Sequence, residues 1–248
     1  MGLFSKKEKK QTSDRKSIFD SDYPIDKSSW YQFFSACLGK MMVIQNACSE
    51  QVVRGRDWNV DFSAGVISFG GDEYPLQFIG SEAASDNTWL WGWENINGFD
   101  ERIIALAEST KRLGELWGLE PLTTAEFELD ETFNGHNLAI IACGISREEF
   151  CYYRGPHSGG AILVAFSGVP SQVFSPIDGK EFTHLTLQCI QKFHIDHKIF
   201  AESLLLWNGT EYEWEGNCIK AHFDRDLNIE FEQAGECWRI SSVKTILG

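Results

Sequence analysis

The stretch Thr88-Trp89-Leu90-Trp91-Gly92-Trp93-Glu94-Asn95 decides how this chain is read. Successive side chains of a β-strand point to opposite faces, so Trp89, Trp91 and Trp93 share one face and Leu90, Gly92 and Glu94 the other. Three indoles on one face must be covered, either by the protein's own core or by a partner. The run marks a strand and a packing or interaction face; it carries no reaction chemistry of its own.

Upstream, residues 58–62, 66–69 and 74–79 alternate apolar with polar and are separated by Ser63-Ala64-Gly65 and Gly70-Gly71-Asp72. This predicts a four-stranded antiparallel meander that the Trp strand closes. Before it, Trp30, Phe34, Cys37, Met41, Ile44 and Cys48 recur at alternating spacings of four and three. They form one apolar stripe on an amphipathic helix over 29–54, capped by Ser28 or Ser29. Downstream, Asn97-Gly98 breaks the chain before a helix over 100–117 with Ile103, Leu106, Leu113 and Trp117 inward. A short strand over 125–130 and a helix over 136–145 follow. Strands over 149–154 and 161–166 then flank Gly155-Pro156-His157-Ser158-Gly159-Gly160 as a hairpin. After a loop, a helix over 181–194 turns Phe182, Leu185, Cys189 and Phe193 inward. Asn208-Gly209 is the strongest short hairpin signal in the chain, a type I′ turn between strands over 204–207 and 210–214. Strands over 218–223, 227–232 and 237–246 complete a second meander of about five strands.

The expected fold class is therefore α+β, with antiparallel β-meanders packed against amphipathic helices. Composition divides the chain into three. Residues 1–27 read as a disordered basic tail, 28–170 as an α+β domain with the Trp-rich meander, and 171–248 as a helix plus C-terminal meander packed on the first part.

The chain of 248 residues carries a net charge of −14. Residues 1–16 hold six basic residues and two acids, so the tail is +4 and the remainder −18. Nucleic acid is not an expected partner of such a surface, which lacks clustered Lys and Arg. The acids are scattered rather than stacked in blocks, which also argues against a DNA mimic. Lys6, Lys7, Lys9 and Lys10 are not followed by an apolar segment, so no secretory signal is read, and no stretch reaches the length of a membrane span. Leu3 and Phe4 beside these lysines make membrane contact by residues 1–10 conceivable, opposed by the acidic body. The seven cysteines, Cys37, Cys48, Cys143, Cys151, Cys189, Cys218 and Cys237, form no CxxC pair, and they read as free thiols of a reducing, cytoplasmic protein.

Several motifs stand together with the Trp run. They are Gln77-Phe78-Ile79-Gly80-Ser81-Glu82, Asn134-Gly135-His136-Asn137-Leu138, Ile141-Ala142-Cys143-Gly144 and Tyr152-Tyr153-Arg154-Gly155-Pro156. The combination, TWLWGWxN with YYRGP and a glycine-rich turn, resembles a family of uncharacterised bacterial domains of unknown function over about residues 30–167. The resemblance implies a bacterial, soluble α+β protein with no assigned activity, and it brings no catalytic residues with it.

Four constellations are candidates for chemistry. Cys151 and His157 lie six residues apart around the glycine turn, where a thiol–imidazole pair is thinkable. His194 and His197, with Asp196 and His184 nearby, have some of the types a zinc site needs; helical geometry turns His184 away, and solvent-facing histidines are the simpler reading. Glu128/Asp130 and Glu230/Glu232 pair carboxylates on one strand face, the pattern of a solvated sheet face more than of a glycosidase cleft. Arg154, His157, Gly159 and Gly160 could bind an anion through consecutive amides and the guanidinium; the alternative is a plain hairpin turn whose Arg154 pairs with a structural carboxylate. No P-loop, GxSxG, HExxH or EF-hand pattern occurs, and no cofactor or metal is called for.

The leading functional expectation is a non-enzymatic, cytoplasmic protein-binding module, with an immunity-like or inhibitor-like role as one form of it. The alternative is an enzyme or small-anion-binding protein with a site near residues 154–160. An exposed patch of tryptophan would favour the first; convergence of Arg154, His157 and the 94–98 loop on one concavity would favour the second.

Overall fold

A computed structural model describes residues 17–235 and 237–246. It is an α+β structure with two antiparallel sheets. The first contains β1 (Trp58–Asp61), β2 (Val66–Phe69), β3 (Asp72–Ala83), β4 (Thr88–Trp91) and β5 (Glu126–Glu128) in that order, with β6 (Cys151–His157) and β7 (Gly160–Phe166) attached through β3. The second is a meander of four strands, not five: β8 (Tyr212–Glu215), β9 (Cys218–Ala221), β10 (Leu227–Ala234) and β11 (Cys237–Thr245).

The Trp strand does not close its meander. β5 pairs on its far side through Trp89 and Phe127, and the hub is the twelve-residue β3, which pairs with β2, β4 and β7. The strand also ends sooner than alternation predicts. After Trp91 the backbone tightens into a 3-10 turn over Gly92–Glu94, closed by Asn95 in the left-handed region. Asn95 also holds the turn with its side chain, accepting from the Phe99 N–H and donating to the Phe99 carbonyl. Trp93 therefore reaches the core from a turn, with the Lys111 ammonium 3.9 Å from its ring centroid. All three indoles are core: Trp89 is 0 %, Trp91 1 % and Trp93 7 % exposed.

Helix α1 (Trp30–Cys48) begins where expected, with the Ser29 hydroxyl accepting the Gln32 N–H, and runs on as a π-helical turn to Val53. Its predicted stripe is buried apart from a half-buried Trp30, but so are Phe33, Ser35, Ala36, Leu38, Gly39 and Lys40. The helix is central rather than amphipathic. It lies against α4 (Gly135–Gly144), against α5 (Gly179–Lys192) and along α6 (His197–Asn208). Helix α2 (Glu101–Trp117) covers β3, and the Gln77 side chain ties the two by donating to the Arg102 carbonyl and accepting the Leu106 N–H. The four-residue α3 (Glu120–Thr123) places the Pro121 carbonyl to accept from the Trp91 indole at 2.8 Å.

The largest departure from expectation is α6. The Asn208-Gly209 pair read as a hairpin turn is a helix terminus: Gly209, at φ +72°, is the left-handed cap of α6, and β8 begins three residues later at Tyr212. Asn208 turns its amide onto both the N–H and the carbonyl of Ile177. Every residue of α6 is buried, so its apolar residues show no helical stripe and the segment reads as strand.

One hydrophobic cluster runs from Ile18 to Phe231 and takes residues from both sides of the boundary drawn at 170. Of the tail drawn over 1–27, residues 1–16, which include the basic run for which membrane contact is conceivable, lie outside the described residues. Residues 17–27 lie on the body: Ile18 is buried, Phe19 stacks on Phe33 at 5.2 Å, and the Asp22 and Tyr23 N–H groups donate to Glu202. Composition reads these residues as polar because three anchors are spread among eleven residues.

Candidate functional site

The β6–β7 hairpin is tighter than its glycine content suggests. Pairing continues out to His157 opposite Gly160, so only Ser158 and Gly159 form the turn. Glu82 stands opposite Ala161 and Arg154 opposite Leu163, which puts both charged side chains on one face of the sheet. There Arg154 Nε donates to Glu82 Oε2 at 2.7 Å, and Nη2 approaches the same oxygen at 2.5 Å. Glu82 Oε1 accepts the N–H of Gly135 at 3.0 Å, at the first turn of α4, where the helix dipole favours a negative charge. The carboxylate is 12 % exposed and is satisfied from both sides. The arrangement clamps β3, β6 and α4 together, and it is the hairpin-with-structural-carboxylate reading of Arg154. Glu82 was legible only as part of a motif; nothing in the sequence marked it as the partner.

The Gly159 peptide groups are occupied as well. The Gly159 N–H goes to His157 Nδ1 at 3.1 Å, and the Gly159 carbonyl accepts from the Ala84 N–H at 2.9 Å. Gly160 is pressed onto the backbone of β3, where a Cβ would lie 1.9 Å from the Glu82 carbonyl oxygen.

Cys151 and His157 do not meet. They sit at opposite ends of β6, about 20 Å apart at the rise of an extended strand. Cys151 is buried, and its hydrogen bond with Cys48, then burial, push its thiol far above the ordinary range. Burial pushes Cys37, Cys143 and Cys189 up to about 12. A thiolate is the reactive form, so these groups are inert in the folded chain. With five cysteines buried and only Cys218 and Cys237 half-buried, we expect a disulfide reagent to titrate two thiols rapidly in native buffer and seven in denaturant. Rapid reaction of a third would contradict this packing.

The histidines are likewise separate. His194 lies against the Tyr31 ring, His184 pairs with Gln188, and His197 Nδ1 accepts the Ile240 N–H at 3.0 Å, joining α6 to β11. Asp196 caps α6 by accepting the Lys198 and Ile199 N–H groups. Among the described residues no three His, Cys, Asp or Glu side chains are grouped to hold a metal ion. Of the paired acids, Asp130 closes a turn with the Thr132 and Phe133 N–H groups, and Glu230 pairs with Ser242 and Lys244 on the surface.

Two clefts open at this end of the first sheet, sharing the wall Glu82–Ala83. The first, of about 610 Å³, is lined by Glu82, Asn87, Asp130, Glu131, Asn134 and Arg154 among others. The second, of about 280 Å³, is lined by Phe62, Phe78, Ser81, Asn97, Phe99 and His157 among others. The convergence of Arg154, His157 and the 94–98 loop that would favour a small-ligand site is divided: His157 and Asn97 line the second cleft, and Arg154 lines the first.

Two buried charges of α6 are not marked by the sequence. Glu202 of α6 accepts from the Asp22 and Tyr23 N–H groups, from the Tyr212 hydroxyl and from the Trp214 indole. One turn earlier, Lys198 holds its ammonium 3.4 Å from the Trp238 ring centroid and donates to Asn217. The available signal was a Lys and a Glu four apart within an otherwise apolar segment.

Fold and site together define an α+β protein whose charged and glycine-rich motifs hold its elements together. Within that class, the chain belongs to DUF6882, a family of unknown function whose model matches residues 31–169. The match spans α1 to β7 and leaves the second sheet outside it. No curated protein and no solved structure matches the chain. Among the described residues no helix is long and apolar enough to cross a membrane.

Proposed function

We propose that this protein is a non-enzymatic protein-binding module whose partner presents a basic surface. The observation that carries this reading is the charge of the first cleft. Among its lining residues, the carboxylates of Glu82, Asp130 and Glu131 surround one cation, Arg154, and that cation is already paired with Glu82. Such a concavity repels a small anion and attracts lysine and arginine. Glu126 and Glu128 extend the negative charge along β5, the last strand of the β1-to-β5 meander. All nine tryptophans are buried or half-buried, so the partner is recognised by charge and by the clefts rather than by an indole patch. A bacterial cytoplasm is the proposed setting, supported by seven unpaired cysteines and by the family resemblance.

The test is a quantitative affinity capture from host lysate with the full chain and with its Glu126→Lys/Glu128→Lys/Glu131→Lys variant. A stoichiometric protein retained by the first and lost by the second is the expected result. Equal retention would remove the acidic cleft as the site, and recovery of no protein by the wild-type chain would overturn the module reading itself.

A further inference from the structure

We propose that the outer edge of β5 takes up a strand of the partner protein through main-chain pairing with Glu126 and Glu128, and that this strand alternates Lys or Arg with apolar residues. The inference rests on the reading of a basic partner and specifies the conformation and residue order of the segment that binds.

The register of β4 and β5 fixes which peptide groups face outward. The Trp91 N–H donates to the Ala125 carbonyl at 3.0 Å and the Leu129 N–H to the Asn87 carbonyl at 2.7 Å, with Trp89 opposite Phe127 midway between them. Hydrogen-bonded and non-hydrogen-bonded pairs alternate along an antiparallel ladder, so Ala125, Phe127 and Leu129 turn their peptide groups toward β4. Glu126 and Glu128 turn theirs the other way, onto an edge where no described residue pairs with them. Both glutamates are exposed. Two other sheet edges are closed by side chains. On β6 the Gln45 amide accepts the Tyr152 N–H and donates to the Tyr152 carbonyl, both at 2.9 Å, and Pro156 farther along that edge has no N–H to offer. On β11 the Ile240 N–H is taken by His197. The edge of β5 is left open by contrast, with two N–H and two C=O groups for an incoming antiparallel strand.

The side chains along the edge select the occupant. A second copy of this chain paired through β5 would set glutamate against glutamate, and like charges directly opposite destabilise a strand pair. A cationic strand gains from the same positions. The face opposite the two carboxylates carries Phe127, half-buried, with its ring 6.3 Å from Phe133, which in turn meets Trp30 at 4.9 Å. An incoming residue opposite Phe127 therefore packs beside aromatic surface, while its neighbours on either side stand against Glu126 and Glu128. Past Glu128 the chain turns through Asp130 and Glu131 on the wall of the first cleft, so the negative charge continues in the direction from which an antiparallel strand enters.

The test uses the full chain and the synthetic peptide acetyl-Thr-Lys-Val-Lys-Val-Lys-Thr-amide, with amide NMR of the protein as the readout. At a peptide concentration about ten times its dissociation constant, hydrogen exchange of the Glu126 and Glu128 amides should slow about tenfold. Methylating the main-chain nitrogens of the lysines blocks the peptide edge that faces β5 and should weaken binding about tenfold or more. Methylating those of the valines blocks only the far edge and should leave affinity within about twofold. The variant Glu126→Gln/Glu128→Gln should bind the unmodified peptide about fivefold more weakly, through loss of two cross-strand charge pairs. Equal affinity of the two methylated peptides, unchanged exchange at Glu126 and Glu128, or full affinity in the glutamine variant overturns the inference. The lysate capture separates this result from the reading beneath it. A partner held by the wild-type chain that leaves both amides exchanging at their unbound rate removes the added strand and keeps the binding module. A blank capture beside a peptide that pairs as expected removes the module instead.

Discussion

Replacing Glu202 with alanine is expected to lower the free energy of unfolding by about 4 kcal/mol, the cost of breaking a buried hydrogen-bonded charge. The carboxylate is 0 % exposed. Its Oε1 accepts from the Asp22 N–H at 3.0 Å and from the Tyr212 hydroxyl and Trp214 indole at 2.8 Å each, and its Oε2 accepts the Tyr23 N–H at 2.9 Å. Burial, and then the hydrogen bond to Glu202, push the Tyr212 hydroxyl well above its ordinary range, so it stays protonated as a donor. Alanine leaves four donors facing a cavity, each orphan costing about 1–3 kcal/mol before water or neighbours relax to meet it. The relaxation is why the expectation lies well under the sum. Glutamine keeps one acceptor oxygen and turns an amide N–H₂ toward donors, so Glu202→Gln should fall between wild type and alanine. Denaturant unfolding followed by Trp fluorescence measures both. The alanine variant should also release residues 17–27 to limited proteolysis, because two of the four donors belong to that segment. A loss below about 1 kcal/mol, the size of a single ordinary hydrogen bond, would show that this network does not hold the segment to α6.

The second large effect is at Gly160. Its φ of +145° is one that side chains rarely adopt, and an added Cβ would lie 1.9 Å from the Glu82 carbonyl oxygen and 3.2 Å from the Ala83 Cα. These are backbone atoms of the paired strand, so they can retreat only if β3 and β7 separate. Gly160→Ala should cost about 3 kcal/mol or more, from backbone strain of about 1–3 kcal/mol together with the clash. Gly159→Ala, one residue earlier, meets only the His157 ring at 3.3 Å, and a side chain can rotate away. It should cost less than about 0.5 kcal/mol, as ordinary exposed positions do. The pair of variants separates two uses of a glycine-rich turn. A turn shaped to bind an anion would lose function at both positions with little loss of stability; a turn shaped for packing loses stability at Gly160 alone. Equal thermal midpoints for the two variants would contradict the packing account.

How much of the molecule was legible in sequence depends on how each element is buried. β1 and β2 each have one face against the core, so alternation located them within a residue. Helices α2 and α5 are amphipathic, and their stripes match the expected ones apart from Leu113, Trp117 and Phe193, which are only half-buried, the last of them just past the end of α5. Helix α1 was found from a stripe that is real but is only part of its buried surface. Helix α6 was missed because burial on all sides leaves no pattern, and the local rule for Asn-Gly then supplied a turn of the wrong kind. The same pair that closes a hairpin also ends a helix, since both need a left-handed residue. The candidate site divides in the same way. Arg154, His157, Gly159 and Gly160 were visible as a cluster of unusual residues. Their partner Glu82 is 72 residues from Arg154, and the Gly135 amide is 53 residues from Glu82.

Residue order alone was enough to give the class of fold, the strands with one solvated face, the amphipathic helices, the free thiols and the acidity of the surface. Each of these is a local property, set by the period of apolar residues or by composition. Packing in three dimensions was needed to learn that the three tryptophans are core, that β3 and not the Trp strand is the hub, and that residues from Val173 to Phe231 share one core with α1. It also decided that Arg154 is spent on Glu82 and that Glu202 anchors residues 22 and 23. Those facts depend on which groups meet across long separations in the chain. Hydrogen bonding and desolvation act through space, so a residue's spacing along the chain does not reveal the partner it will need when buried.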